Sequence, residues 1–164
     1  MHRAILFATI ILVSCGPKHK RGEAEKSSIG EHLIGEWRNT YLKVTTNSVN
    51  GFADSVIVME ADTTNWEHVV HLKPIRTFFE SDGTYQSDHY AVNDSLLFSA
   101  KGTWSVSDDT LIMQQTSPNM ATYRLKTEID NNKVTFSGKL DFDEDGAEDD
   151  DYLGIQKKYF LNRP

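Results

Sequence analysis

The sequence predicts an all-β protein whose folded part is an antiparallel up-and-down barrel of about eight to nine strands. Three observations predict this class. Short runs of β-branched and aromatic residues recur after residue 33, turn dipeptides separate these runs, and two of the runs alternate apolar with polar side chains. Sequential strands with short links form a meander, and closure into a barrel removes its exposed edges.

The predicted strands follow one another along the whole folded part. They span residues 34–45, 55–61, 68–79, 84–91, 96–106, 110–116, 122–130, 133–142 and 151–160. Three of the connections contain explicit turn sequences, at 81–84 (SDGT), 107–110 (SDDT) and 130–133 (DNNK). The only helical signal is a turn near residues 28–33.

Alternation in two strands predicts which side chains face the barrel interior. In 122–130 the odd-numbered residues are mostly apolar and the even-numbered ones are mostly charged, and 133–142 shows the reverse parity. An open barrel would bind one small apolar or amphipathic ligand. The residues expected to line it are Tyr123, Leu125, Ile129, Phe136 and Leu140. Alternatively, these residues form a closed core and the barrel is filled.

The first residues are typical of a secretory signal peptide. A short basic start precedes ten apolar or small residues, Ala4 to Val13, too few to span a bilayer about 30 Å thick. The following Leu-Val-Ser-Cys resembles the lipobox of bacterial lipoproteins, which implies cleavage after Ser14 and lipidation of Cys15. A secreted protein with a stray cysteine is the alternative. Lipidation of Cys15 would anchor the protein to a bilayer, and we expect an outer-membrane lipoprotein.

Three segments follow from this interpretation. Residues 1–14 form the signal peptide, 15–30 carry the lipidated Cys and a flexible linker, and 31–164 form the barrel domain. A basic cluster at 18–21 either contacts anionic headgroups or belongs to a solvated linker. Because the residues after Cys15 are basic and not acidic, we expect the periplasmic face.

Charge is distributed unevenly along the chain. The net charge is −7, and the segment 141–151 (DFDEDGAEDDD) supplies eight of the 24 acids. The remainder is nearly neutral and lacks a basic cluster in its folded part, which argues against nucleic-acid binding. A single Cys excludes an internal disulfide and any multi-cysteine metal site. We expect a monomer.

The acidic segment has the spacing of a Ca²⁺-binding loop. Carboxylates recur at alternate positions, Gly146 allows a sharp reversal, and a backbone carbonyl follows it. The candidate ligands are Asp141, Asp143, Asp145, the carbonyl of Ala147, and Asp149. Tyr152 stands where an EF-hand requires Glu, so the loop is instead similar to those of integrin-type propeller blades. The alternative is a solvated hairpin tip without an ion. Either way, we expect the loop at the tip of the last hairpin, far from any active site.

The strand sequences resemble those of lipocalin-like lipoproteins of the Bacteroidetes type. Gly35-Glu36-Trp37 is similar to the Gly-x-Trp signature of lipocalins, and TFFESDGTY (77–85) and KGTWSVSDDTLIM (101–113) resemble the bacterial group. The resemblance implies a lipocalin-like barrel in which Trp37 closes one end, with Gly35 beside it. It is informative about architecture and says little about chemistry.

No catalytic residue can be assigned from the sequence, and we expect a protein that is not an enzyme. There is no Gly-x-Ser-x-Gly elbow and no phosphate-binding Gly-rich loop. His68 and His71 would point to opposite sides of the predicted strand 68–79, which argues against a shared metal. His89 has no evident partner in the sequence. The leading interpretation is a tethered ligand-binding module, and the runner-up is an envelope interaction or structural module with a filled barrel.

Overall fold

The computed structural model describes residues 29–47 and 56–160. The predicted signal peptide and Cys15 lie outside the described residues, as does nearly all of the predicted linker. The elements are helix α1 (29–33), β1 (Gly35–Thr46), β2 (Ile57–Asp62), α2 (Trp66–Val70), β3 (Arg76–Phe79), β4 (Thr84–Tyr90), β5 (Leu96–Ser107), β6 (Thr110–Ser117), β7 (Ala121–Asp130), β8 (Lys133–Leu140) and β9 (Asp150–Tyr159).

Eight of the strands close into an antiparallel barrel. Strands β3 to β9 pair in sequence order, and β1 pairs with both β3 and β9 to complete the ring. Every pairing is antiparallel, and the three predicted turn sequences lie between β3 and β4, β5 and β6, and β7 and β8. The predicted all-β barrel is therefore confirmed.

Strand β1 divides one of its edges between two partners. Its first residues, Gly35 to Arg38, pair with β3, and its last, Tyr41 to Thr46, pair with β2. On the opposite edge the β1–β9 register shifts between Asn39 and Tyr41, which marks a bulge. Strand β2 is thus an addition outside the ring of eight.

The predicted strand 68–79 was wrong over most of its length. Residues 66–70 form helix α2, and only Arg76–Phe79 is a strand. The helix follows a turn at Asp62–Asn65 and buries Trp66 against Leu42 and Ala61. Burial of this indole outweighs the β propensity of the two adjoining valines. Neither α1 nor α2, the helices of the described part, is long and apolar enough to cross a membrane.

One end of the barrel is closed by α1 and aromatic side chains. Trp37 is fully buried, and its indole Nε1 donates a hydrogen bond to the carbonyl of Leu33 at 2.6 Å. Lys158 donates to the carbonyl of His32 at 2.7 Å and lies over the Trp37 ring. The cluster continues into the barrel through Phe79, Leu111, Leu125, Val134 and other buried residues. Trp37 thus occupies a structural position at the closed end.

The opposite end of the barrel is its mouth. In an up-and-down barrel successive connections alternate between the two ends, so the β4–β5, β6–β7 and β8–β9 connections lie opposite α1. The β8–β9 connection is the acidic loop, 141–149.

Candidate ligand cavity and the acidic loop at its mouth

The barrel interior contains a cavity of about 370 Å³. Its wall is mainly apolar and aromatic, and it receives side chains from β1 and from β3 to β9. Typical small-molecule pockets have volumes of about 300–1,000 Å³, so the cavity is at the small end of this range.

Four of the five residues expected to line a ligand site lie on the cavity wall. These are Tyr123, Leu125, Phe136 and Leu140. Ile129 does not line the cavity. It pairs with Val134 beside the β7–β8 turn and packs against the closed-end cluster instead. Alternation identified the correct face of β7 but could not indicate how far the cavity extends along it.

Polar side chains also face the cavity, on the strands around β1. The amide Nε2 of Gln156 donates to Oδ1 of Asn39 at 3.1 Å, and the hydroxyls of Thr77 and Ser87 are 2.9 Å apart. Two further atoms on buried wall side chains have no hydrogen-bond partner among the described residues: the hydroxyl of Tyr85 and Oε1 of Gln156. Buried polar atoms are ordinarily paired, so these two mark the cavity as a place for a polar contact.

His89 lies on the wall and stacks on Phe98 across the β4–β5 pair. The ring centroids are 4.2 Å apart, and the planes differ by 17°. Burial lowers the pKa of His89, although the nearby Asp88 carboxylate opposes this effect. The imidazole is therefore neutral at neutral pH. Phe98 is thus the partner of His89 that the sequence did not reveal, and it faces His89 in the β4–β5 register.

The three tyrosines on the wall are also neutral. Burial raises the pKa of Tyr85 to about 12, with Tyr123 adding to the effect, and raises the pKa of Tyr152 to about 12. Burial also raises the pKa of Tyr123, to which the charge of Glu144 adds. The acidic side chains that line the cavity are Asp141 and Glu144, both from the acidic loop.

The acidic loop was expected far from any active site, but it forms one side of the cavity mouth. Asp141, Phe142 and Glu144 all line the cavity. The sequence placed the loop correctly at the tip of the last hairpin. Its proximity to the candidate ligand site follows from barrel closure, which brings β8 and β9 beside β1.

Within the loop, three of the predicted metal ligands lie close together. Carboxylate oxygens of Asp141, Asp143 and Asp145 lie within 4.8 Å of one another. Positive φ angles at Glu144 and Gly146, 60° and 95°, produce the reversal. Backbone amides satisfy one oxygen of each carboxylate: Gly146 donates to Asp141, Asp145 to Asp143, and Ala147 to Asp145.

Other carboxylate oxygens of the loop have no such partner. Oδ1 of Asp141, Oδ2 of Asp143 and Oδ1 of Asp149 are buried and accept no hydrogen bond from any described residue. Partial burial raises the pKa of Asp143, and the charges of Asp145, Asp150 and Asp141 add to this effect. Buried oxygens that lack a hydrogen-bond donor among the described residues fit the ligand set of a hard cation.

Asp150 holds the base of the loop. It is fully buried, and its carboxylate accepts the backbone amides of Asn47, Phe142 and Asp143 at 3.2, 2.8 and 3.3 Å. The sequence did not distinguish Asp150 from the acids around it. Asp150 differs from the other acids in being the first residue of β9, where a carboxylate can accept hydrogen bonds from backbone amides of the preceding loop.

Comparisons with known proteins assign no family to this sequence. No protein-family model matches the sequence, and no curated protein matches it. A solved structure of an uncharacterized protein from Bacteroides eggerthii DSM 20697 is similar at 14% sequence identity and a TM-score of 0.44. The match covers 77% of this chain and 99% of that one.

A larger depression, of about 650 Å³, lies on the outer face of β3 to β6. Its buried carboxylate is already paired, because Asp88 accepts hydrogen bonds from Gln86 at 2.8 Å and from Ser99 at 2.6 Å. It is lined largely by polar side chains, including Glu80, Gln86 and Lys101. The interior cavity has a mainly apolar wall and buried polar atoms without a partner among residues 29–47 and 56–160, so it is the better candidate site.

His68 and His71 lie away from both the cavity wall and the carboxylate cluster. His68 is in α2, and His71 ends that helix with a φ of 60°. Both are exposed.

Proposed function

We propose that this protein is a membrane-anchored, non-catalytic binding module whose barrel takes up one small apolar or amphipathic ligand. The observation that carries the proposal is the interior cavity of about 370 Å³, with an apolar wall and two buried polar atoms that have no hydrogen-bond partner among the described residues. Apolar lining with a few convergent polar groups is the usual composition of a small-molecule site. The anchor is the lipid expected on Cys15, and metabolic labelling with a radioactive fatty acid tests it, since Cys15→Ser should abolish incorporation.

Native mass spectrometry of residues 16–164 tests ligand binding. This segment includes every described residue and omits the lipidation site. Purified from the native host, it should carry a small molecule in a one-to-one ratio. Ala100→Phe projects a larger side chain into the cavity and should reduce the bound fraction, whereas Lys101→Phe on the same strand faces outward and should not. Equal occupancy of the two variants would contradict binding in the cavity.

A Ca²⁺ ion in the acidic loop is part of the same proposal. Support comes from the clustered carboxylates of Asp141, Asp143 and Asp145 and from the buried oxygens of the loop to which no described residue donates. Asp149 supplies one of those oxygens. The proposed role is structural: the ion would join the ends of β8 and β9 and hold the lip of the cavity in place.

An interaction module remains the second candidate, and exposed apolar side chains near the mouth favour it. Leu96, Leu97 and Phe98 begin β5, and Met120 lies in the β6–β7 connection. Such side chains are common at protein interfaces. Absence of any co-purifying small molecule from the host-derived protein would favour this second function.

A further inference from the structure

The sign of the charges on the cavity wall restricts the chemistry of a ligand. Asp141 and Glu144 line the mouth, and no lysine or arginine of the described residues lines the cavity. Neither acid forms an ion pair with a described residue. A carboxylate or phosphate entering the cavity would lose water without gaining a cationic partner, which is unfavourable. A cation entering the cavity would instead gain an acidic partner, Asp141 or Glu144.

Aromatic rings accompany these carboxylates at the mouth. Tyr123, Phe142 and Tyr152 line the same cavity as the two acids. An ammonium group is attracted to a carboxylate by charge, and to an accessible aromatic ring by the cation–π interaction.

The deeper wall offers hydrogen-bond acceptors. Tyr85 and Gln156 are 3% and 7% exposed and line the cavity, and each has one atom without a hydrogen-bond partner in the described part of the chain. Oε1 of Gln156 can only accept, and the Tyr85 hydroxyl can accept or donate. These groups match an occupant that carries N–H or O–H donors.

We propose that the ligand is a cationic amphiphile, with an apolar body inside the barrel and an ammonium group at the mouth beside Glu144. This inference rests on the proposed binding function and adds the ligand class. A Ca²⁺ ion in the loop does not reverse this preference for a cation. The eight acids of residues 141–151 together with one divalent cation keep a formal charge of about −6. Glu144 is also distinct from the clustered carboxylates of Asp141, Asp143 and Asp145.

Three probes of equal chain length test the ligand class: decylamine, 1-decanol and decanoate. Each is titrated calorimetrically into residues 16–164 at neutral pH and low salt, with excess Ca²⁺ throughout. Decylamine should bind about five- to tenfold more tightly than decanol, and decanoate more weakly than either. The preference should shrink as salt is added, because exposed charges are screened.

Glu144→Gln should abolish the preference for decylamine and leave decanol affinity unchanged. Glu148→Gln is the matched control, because it removes an equal charge from an exposed position of the same loop that does not line the cavity. The control should keep at least half of the preference.

The outcomes separate the ligand class from the binding function. Equal affinities for the amine and the alcohol, tighter binding of decanoate, or an unchanged preference in Glu144→Gln would overturn the ligand class while the cavity still binds. Absence of binding by all three probes would overturn both the ligand class and the proposed function.

Discussion

The fully buried carboxylate of Asp150 accepts the backbone amide of Phe142 at 2.8 Å, which joins the start of β9 to the residue that forms the lip of the cavity. Two more amides, of Asn47 and Asp143, bond to the same side chain. The position of the lip therefore depends on a residue that lies outside the proposed metal ligands.

Asp150→Ala should lower the free energy of unfolding by about 3 kcal/mol, because three backbone donors lose a charged acceptor. Denaturant unfolding of residues 16–164 measures this. Asp151→Ala is the control: its carboxylate is mostly exposed and pairs with Lys139 at 2.7 Å, so it should cost less than about 1 kcal/mol. Similar losses in the two variants would show that Asp150 does not hold the loop.

Excess Ca²⁺ should raise the melting temperature by several degrees relative to chelator, since an ion that binds only the folded state stabilises it. Differential scanning calorimetry measures the shift. Asp145→Ala should abolish the shift and leave the barrel folded, whereas Glu148→Ala should retain it. Identical midpoints with and without the ion, and no heat on titration with Ca²⁺, would rule out the metal site.

His89 should make stability depend on pH below about 6.5. Burial holds its pKa in the folded state below the unfolded value, so the unfolded chain takes up the proton first as the pH falls. The free energy of unfolding should therefore decrease as the pH falls from 7.5 to 5.5. Denaturant unfolding at several pH values measures it.

Two histidine variants separate the contribution of His89 to this pH dependence from the contribution of the carboxylates. His89→Gln should flatten the dependence over that interval, while His68→Gln, at an exposed position in α2, should retain it. A slope that is unchanged in His89→Gln would assign the dependence to other groups.

Trp37→Phe should destabilise the closed end by about 2–4 kcal/mol, because it removes buried indole surface and the 2.6 Å hydrogen bond to Leu33. Trp104→Phe loses a hydrogen bond to Glu80 from a side chain that is only partly buried, so it should cost less. Equal costs, measured by denaturant unfolding, would contradict a special role for Trp37.

Local patterns were sufficient to predict the barrel. Alternation in β7 and β8 is a property of neighbouring residues, so the inward positions of Leu125 and Phe136 could be predicted from the sequence. Turn sequences are equally local. Helix α2 could not be predicted in this way, because it depends on a pocket for Trp66 formed by β1 and β2.

The candidate site depended on contacts between distant parts of the chain. Asn39 and Gln156 are 117 residues apart in sequence, and their hydrogen bond requires the ring to close through β1 and β9. The spacing of the acidic loop indicated a cation, and the structure adds that the same loop forms the lip of a cavity. That relationship requires knowledge of which connections share one end of the barrel.

The position of α1 has a consequence for orientation. The described fold begins at residue 29, at the closed end, so the chain that leads back toward Cys15 leaves the barrel opposite its mouth. Attachment of the barrel through its closed end would leave the entrance of the cavity uncovered. A ligand could then enter and leave the cavity while the protein stays attached.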